Sequence, residues 1–364
     1  MELTEVLLVV ARVLATFVLL MVVTVLNVWA ERKIIADMQN RIGPNRAGPF
    51  GILQTVADGL KLFFKEQINP KKAQMGMFIL APFMAVIPAF LLFMVIPWGR
   101  PIEFADGTVF PLQGADLNVG LLFVLAMSSM AVYAVVLAGW SSGSKYPLLG
   151  GVRATAQAIS YEAALGLAMV SVVVWMAASV DSGVMTLSLS EIVARQQGTY
   201  FGFLPRWNIF PQFGAFVIFM IAAVAETNRA PFDLVEAEQE IVGGFHTEYS
   251  GMRFAMFFLA EYVNIFSMSA LGATLFLGGW NGQIDSFFGW DTPTWLAAIL
   301  PTVYFLFKTY ILVFMFIWLR ATLPRLRYDQ LMTLGWKRLI PGALGWLALT
   351  AIVAGMLRFP APWA

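Results

Sequence analysis

Apolar residues run along this chain in blocks of about 20, the length a helix needs to cross the hydrocarbon core of a bilayer. Eight such blocks stand at 5–29, 75–97, 117–140, 155–180, 210–226, 252–280, 295–319 and 339–358, and each predicts a spanning helix. Pro82, Pro88 and Pro301 fall inside them, which membrane helices tolerate when neighbouring groups satisfy the freed carbonyls. The first block is preceded by acids instead of basic residues and is too long for a cleaved signal segment, so it predicts a retained helix.

Two shorter segments are striped. Within 50–66, Leu53, Val56, Leu60 and Phe63 or Phe64 share one helical face, and Gln54, Asp58, Lys61 and Lys65 share the other. That pattern predicts a helix lying in the membrane interface on the cytoplasmic side. The stretch SLSEIVARQQG has the spacing of a capping box from Ser188 to Glu191 and a short apolar stripe, which predicts an amphipathic helix on the outer side. The expected fold is an all-α polytopic membrane protein with eight transmembrane helices. Residues 1–364 form one integral membrane domain without repeats, with an acidic loop at 225–252 between the fifth and sixth spans.

Composition agrees: 59% of residues are hydrophobic and 12% charged, more apolar surface than one soluble core of this length can bury. Cysteine is absent and His246 is the only histidine. The chain by itself therefore cannot ligate an iron–sulfur cluster, a haem pair or a structural zinc. Nothing in the composition points to nucleic acid.

The net charge of +1 conceals an asymmetry. Seventeen of the 23 basic residues follow odd-numbered spans, whereas Arg100, Arg195 and Arg206 occupy the even-numbered loops. By the positive-inside rule the odd loops are cytoplasmic and both termini lie outside.

Charge inside the spans carries the candidate chemistry. An ionisable group at the centre of a spanning helix costs about 2.5–3.5 kcal/mol on insertion scales, so each requires a partner, a wet cavity or a function. Glu162 lies seven residues into the fourth span, Glu261 about ten residues into the sixth, Lys308 at the centre of the seventh, and Glu226 closes the fifth. Read by depth they form a series from the loop acids Asp233, Glu236, Glu238 and Glu240 through Glu226, Glu162 and Glu261 to Lys308, as a proton relay requires. The plainer alternative makes Glu261 and Lys308 a structural ion pair, lets Glu226 snorkel to the interface and leaves the loop acids solvated. If the segment after Pro231 is helical, Asp233, Glu236 and Glu240 share a face, where like charges oppose the helix and suggest protonation or a basic partner. The first basic loop, ERKIIADMQNRIGPNRAGPFGILQ, is rich in turn formers but lacks the P-loop pattern GxxxxGK[ST]. It reads as a docking surface or the rim of a headgroup site.

Four long motifs, in order, make the chain recognisable: AERKIIADMQNRIGPNRAGPFGILQTVADGLKLFFKE, ISYE, AETNRAPFDLVEAEQEIVGGFHTEYSGMRFAMFFLAEY and WLRATLPRLRYDQLMTLGWK. Over essentially its whole length the sequence resembles the H-type subunits of bacterial NADH-quinone oxidoreductase, respiratory complex I, a family that includes the first mitochondrially encoded subunit. The resemblance implies a membrane-arm subunit of a bacterial cytoplasmic membrane complex, set where the membrane arm meets the peripheral arm. It implies a quinone chamber completed by two soluble subunits, quinone as substrate, and flavin and iron–sulfur clusters held by partners. It places Arg32, Arg41, Asp58, Arg229, Phe258, Arg320 and Arg325 at the chamber or its entrance. It routes a proton or charge relay through Asp233, Glu236, Glu238, Glu240 and Glu248 to Glu226, Glu162 and Glu261, and on to the other membrane-arm subunits. The membrane subunit of energy-converting hydrogenases is the nearest alternative, disfavoured by the unbroken RIGPNRAGP and RATLPRLRYDQLM segments. A stand-alone transporter would show paired halves with matching interrupted helices, and the sequence shows none. A purely structural anchor predicts that conservative changes at the intramembrane acids alter assembly or nothing.

Overall fold

The computed structural model describes residues 3–103, 109–179, 184–200, 204–233, 242–282 and 294–358. The chain is an all-α polytopic membrane protein. Its long helices are α1 (Leu3–Met38), α3 (Met75–Met94), α4 (Gly120–Ser141), α5 (Lys145–Ser179), α8 (Gly251–Phe276), α9 (Thr294–Thr322) and α11 (Ile340–Arg358). The last is joined through a π-helical turn, Gly335–Leu339, to the short α10 (Tyr328–Leu334). Between them lie α2 (Gln54–Phe64), α6 (Leu189–Arg195) and α7 (Phe213–Glu226). Two antiparallel pairs of two-residue strands, Ile102–Glu103 with Val109–Phe110 and Thr199–Tyr200 with Leu204–Pro205, lie in the connections between helices.

Of the eight expected spans, seven belong to helices long and apolar enough to cross a membrane, among the described residues. The eighth, α7, has 14 residues and reaches about 21 Å. It begins at Phe213 because residues before it form a turn in which the Gln212 N–H binds the Asn208 carbonyl at 2.9 Å. Two helices overrun their apolar blocks. α1 continues through Glu31, Arg32 and Asp37 to Met38, so the first third of the expected first loop is helical. Its residues there are good helix formers, and the helix stops only where Asn40 adopts a φ of 52° ahead of Gly43 and Pro44. α5 begins at Lys145, about ten residues before the apolar block, and carries Arg153 on helix instead of loop.

The core is built on α5 and α8. On α8, Phe266, Leu271 and Phe276 are wholly buried, and the helix packs against α1, α3 and α9. α5 packs against α4, α7 and α11. α1 sits at the edge: Leu20 and Val23 face inward while Leu7, Leu14, Val18 and Val22 point outward.

The amphipathic helices form where the pattern placed them. Leu53, at the start of α2, and Val56, Leu60, Phe63 and Phe64 within it are exposed, the apolar face expected to meet lipid. At α6, Ser188 accepts from the Glu191 N–H at 3.4 Å, as a cap should. The reciprocal half of the capping box is replaced. Glu191 accepts from Thr186 at 2.5 Å and from Arg195, and Thr186 takes the Ser188 N–H. These donors hold the Glu191 carboxyl below the usual range, Thr186 foremost.

Candidate functional site: a charge knot and a carboxylate-lined cavity

After Glu226 the chain turns sharply, with Asn228 at a φ of 53°, a left-handed conformation that asparagine tolerates better than most residues. The turn directs Arg229 back between α1 and α8, where it is buried. Its guanidinium lies 2.9 Å from Glu31 of α1 and 2.8 Å from Glu261 of α8, and it stacks over the Tyr262 ring at 4.6 Å from the centroid. Glu31 also pairs with Arg320 of α9. Burial alone would favour loss of the Arg229 proton, but Glu261 and Glu31 outweigh it, and the pKa is raised. Four segments, α1, α8, α9 and the 227–233 turn, are thus tied by two arginines and two carboxylates. Such a cluster is weakened by the loss of any member, because a buried charge is then left with fewer partners.

Beside this knot lies a cavity of about 100 Å³, walled by α3, α4 and α8 and by the 227–228 and 245–246 turns. Its polar lining includes Ser128, Glu226, Asn264, His246 and Glu261. It has room for several waters by volume, and these polar groups are partners for them. The turn carrying His246 is seated by contact between glycines: a Cβ at Gly150 of α5 would stand 2.8 Å from the Gly244 backbone. Phe254 and Phe258 pack edge-on against the imidazole. Burial pushes His246 down to about 4, so it is neutral at pH 7.

Glu226 does not snorkel to the interface. Its Oε1 accepts from Ser128 of α4, and its Oε2 is buried with no hydrogen-bond partner among the described residues. Glu162 of α5 accepts from the next residue, Ser129, and lines a shallow, otherwise apolar groove on the α4–α5 flank with Leu125, Ile159 and Val170. The three acids are brought together sideways: Glu261 and Glu226 share a cavity, and Glu162 meets α4 at the residue next to the one that holds Glu226.

Lys308 leaves the series altogether. Its ammonium donates to the Gly279 and Asn281 carbonyls at 3.0 and 2.5 Å and sits over the Trp207 ring. These partners belong to the segments bordering the far end of α8, so the supposed ion pair between Glu261 and Lys308 does not form. Glu261 has Arg229 instead. Residue counting put both at mid-bilayer, but α8 and α9 are not in the register that equal depths assumed.

The remaining expected site residues are distributed at the basic end. Arg32 pairs with Asp58 of α2, which also accepts from Gln54 at 3.1 Å, and both members are partly exposed. Arg325 lies 2.8 Å from Asp233. Phe258 lines the cavity, Glu248 is half-buried in the turn before α8, and Arg41 is exposed and bonded to Gln39 at 2.7 Å. Glu236, Glu238 and Glu240 lie outside the described residues, as does the helix expected after Pro231.

Four contributors were not singled out from sequence. Glu31 stood two residues beyond the first apolar block and read as loop. Ser128 and Ser129 look like ordinary small residues of a spanning helix. Asn27, buried with both amide atoms unpartnered among the described residues, lies against the knot. A polar residue inside an apolar block was the available signal for the last three.

The comparison with known families agrees in extent with the whole bundle, from the first turns of α1 to within a few residues of the end of α11. The family model described as NADH dehydrogenase matches residues 11–351, and the chain belongs to that family.

Proposed function

We propose that this protein is the H-type membrane subunit of a proton-pumping NADH-quinone oxidoreductase. In this reading it supplies the membrane part of a quinone chamber and a path of carboxylates that couples quinone reduction to proton translocation. The observation that carries the coupling role is the shared cavity of Glu226 and Glu261, flanked by Glu162 on one side and the Arg229 knot on the other. Partner subunits would hold the flavin, the iron–sulfur clusters and the groups that grip the quinone head. Arg32, Asp58, Arg41, Phe258 and Arg325 would border the chamber or its mouth, with the basic end facing the cytoplasm of a bacterium.

The chemistry this chain contributes is electrostatic. Quinone plus two electrons and two protons gives quinol, and the interval between electron arrival and proton arrival places negative charge near Asp233 and Arg325. A carboxylate responds to a nearby charge by changing its protonation. Asp233 belongs to the same short turn as Arg229, and Arg229 holds Glu261 at the cavity wall. A displacement of that turn therefore changes the partner of a cavity carboxylate.

Replacing Glu226 or Glu162 by glutamine removes the ionisable group while keeping size and hydrogen bonding. In membranes carrying the assembled complex, each variant is expected to lose quinone-dependent proton translocation by at least about tenfold, the scale of one mispaired group of about 1.4 kcal/mol. Assembly, checked by recovery of the intact complex, should persist. Coupled turnover at the parental rate in both variants sinks the reading. A complex that purified with nickel and without flavin or NADH oxidation would place the chain in a hydrogenase-type assembly instead.

A further inference from the structure

Two adjacent side chains of α4 serve two carboxylates from different helices. Ser128 donates to Glu226 of α7 and Ser129 donates to Glu162 of α5. Consecutive residues on a helix are separated by about 100°, so the pair divides its attention between the two faces of α4. Their situations differ in one respect. The Ser129 hydroxyl is also 3.1 Å from the Leu125 carbonyl, one turn back on its own helix. A serine hydroxyl has one proton to give and two lone pairs to receive with, so it cannot donate to both acceptors at once.

We propose that Ser129 is a two-position donor whose state is set by the charge on Glu162. When Glu162 is ionised, the hydroxyl proton points to the carboxylate, and the Leu125 carbonyl keeps only its helical N–H. When Glu162 takes up a proton, the carboxylic acid donates to the Ser129 oxygen, and the serine proton swings to Leu125. One proton enters, none is lost, and the hydroxyl stays bonded in both states. Ser128, with Glu226 as its acceptor, is a fixed donor. It holds Oε1 and leaves Oε2 on the other side of the carboxyl without a protein partner among the described residues.

The pair therefore gives the two carboxylates unequal hydrogen-bond support. Glu162 can change charge with a compensating rotation of one hydroxyl, in a groove otherwise lined by Leu125, Ile159, Ala163 and Val170. Glu226 is anchored at one oxygen, and the titratable and charged groups around it are Glu162, His246 and Glu261, with Arg229 behind Glu261; Glu226 is in turn the charged neighbour of Glu162. A merely structural serine would be satisfied by back-bonding to its own helix, a common habit in such helices, and its loss would leave Glu162 undisturbed. The proposal rests on the reading that these carboxylates change protonation during turnover, but its test does not require that they pump.

The test is an infrared titration of the protonated carboxyl stretch in the purified, assembled complex, with the Glu162 band assigned by its absence in E162Q. In S129A the ionised carboxylate loses its donor, and the midpoint of the band is expected about one pH unit higher, the scale of one hydrogen bond to a charged group. S129T keeps a hydroxyl able to reach both acceptors and should retain the parental midpoint, and S128A, which reaches Glu162 only through the charge of Glu226, should move the Glu162 band by less than S129A does. Should S129A not assemble, S129C offers a weaker donor of similar shape and is expected to move the midpoint in the same direction by less. An unmoved midpoint in S129A or S129C, or an equal shift in S129T, overturns the proposal. Its fate is separable from that of the coupling role: E162Q and E226Q with full proton translocation and a shifted S129A band defeat the relay alone. An uncoupled E162Q with an unmoved S129A band defeats the switch alone.

Discussion

Arg229 shows at the scale of one residue why charge number is a poor guide to charge chemistry. In the sequence it is the lone base among five acids, which suggests an acid-rich loop poorly neutralised. In the structure it is matched by Glu31 and Glu261 from two other helices, and sequence distance hid both partners. Lysine keeps the charge but not the planar fork or the stacking on Tyr262. R229K is therefore expected to lower quinone reductase activity of the assembled complex about tenfold or more, by the same 1.4 kcal/mol scale. R229A, which removes the arginine that Glu31 and Glu261 share, should reduce the yield of complex as well. His246 makes a pH prediction. Folded, it titrates at about 4 against an ordinary 6.5, so the unfolded chain takes up its proton first as pH falls. The stability it permits is complete above 6.5 and is lost progressively between 6.5 and 4. H246F, which suits the surrounding rings, should flatten the decline of the complex's melting temperature over that interval. An identical decline in both proteins would remove His246 from the account.

At the scale of elements, the existence of every helix except α10, which lies in what read as a loop, was legible, and the helix ends were not. Hydropathy reports where lipid ends, whereas a helix ends where its hydrogen bonding or dihedrals fail. α1 runs on past its apolar block for this reason, and α7 starts late because Pro211 and the Asn208 turn precede it. The capping residue of α6 was legible, but the destination of Glu191 depended on Thr186, outside the motif. Close approach between elements is equally invisible to periodicity. On α5, a Cβ at Gly150 meets the Gly244 backbone at 2.8 Å, whereas one at Gly166 meets only Leu125 side-chain atoms at 3.9 Å. G150A is thus expected to destabilise by about 1–3 kcal/mol, as overpacking does, and to disturb activity by displacing His246 from the cavity. G166A should be nearly silent in both thermal melting and turnover.

At the scale of the molecule, the distribution of basic residues predicts which end faces the cytoplasm, and the absence of cysteine makes that testable. Single cysteines can be placed at Lys61 on α2 and at Met185 before α6, both exposed positions near opposite ends. A membrane-impermeant thiol reagent should label M185C in intact cells and K61C only after permeabilisation. The reverse pattern would invert the topology. Glu162, Glu226 and Glu261 could be picked out from sequence because lipid makes charge conspicuous, whereas Glu31, just past its apolar block, could not. Nor could the order of the three, since it depends on which faces of α4, α5 and α8 meet, and Lys308 was misplaced for that reason.

The pairing of Glu31 also has a consequence in time. Its partners Arg229 and Arg320 lie 198 and 289 residues further along the chain, so the first helix is made and inserted with its carboxylate unanswered. At ordinary rates of synthesis the second partner follows roughly 15–60 s later. Through that interval α1, with most of its outer face apolar and few contacts of its own, has no lock. The lock on this helix closes when the seventh long apolar block delivers Arg320, with α10 and α11 still to follow, and a chain truncated before α9 would be left with an open edge for quality control to find.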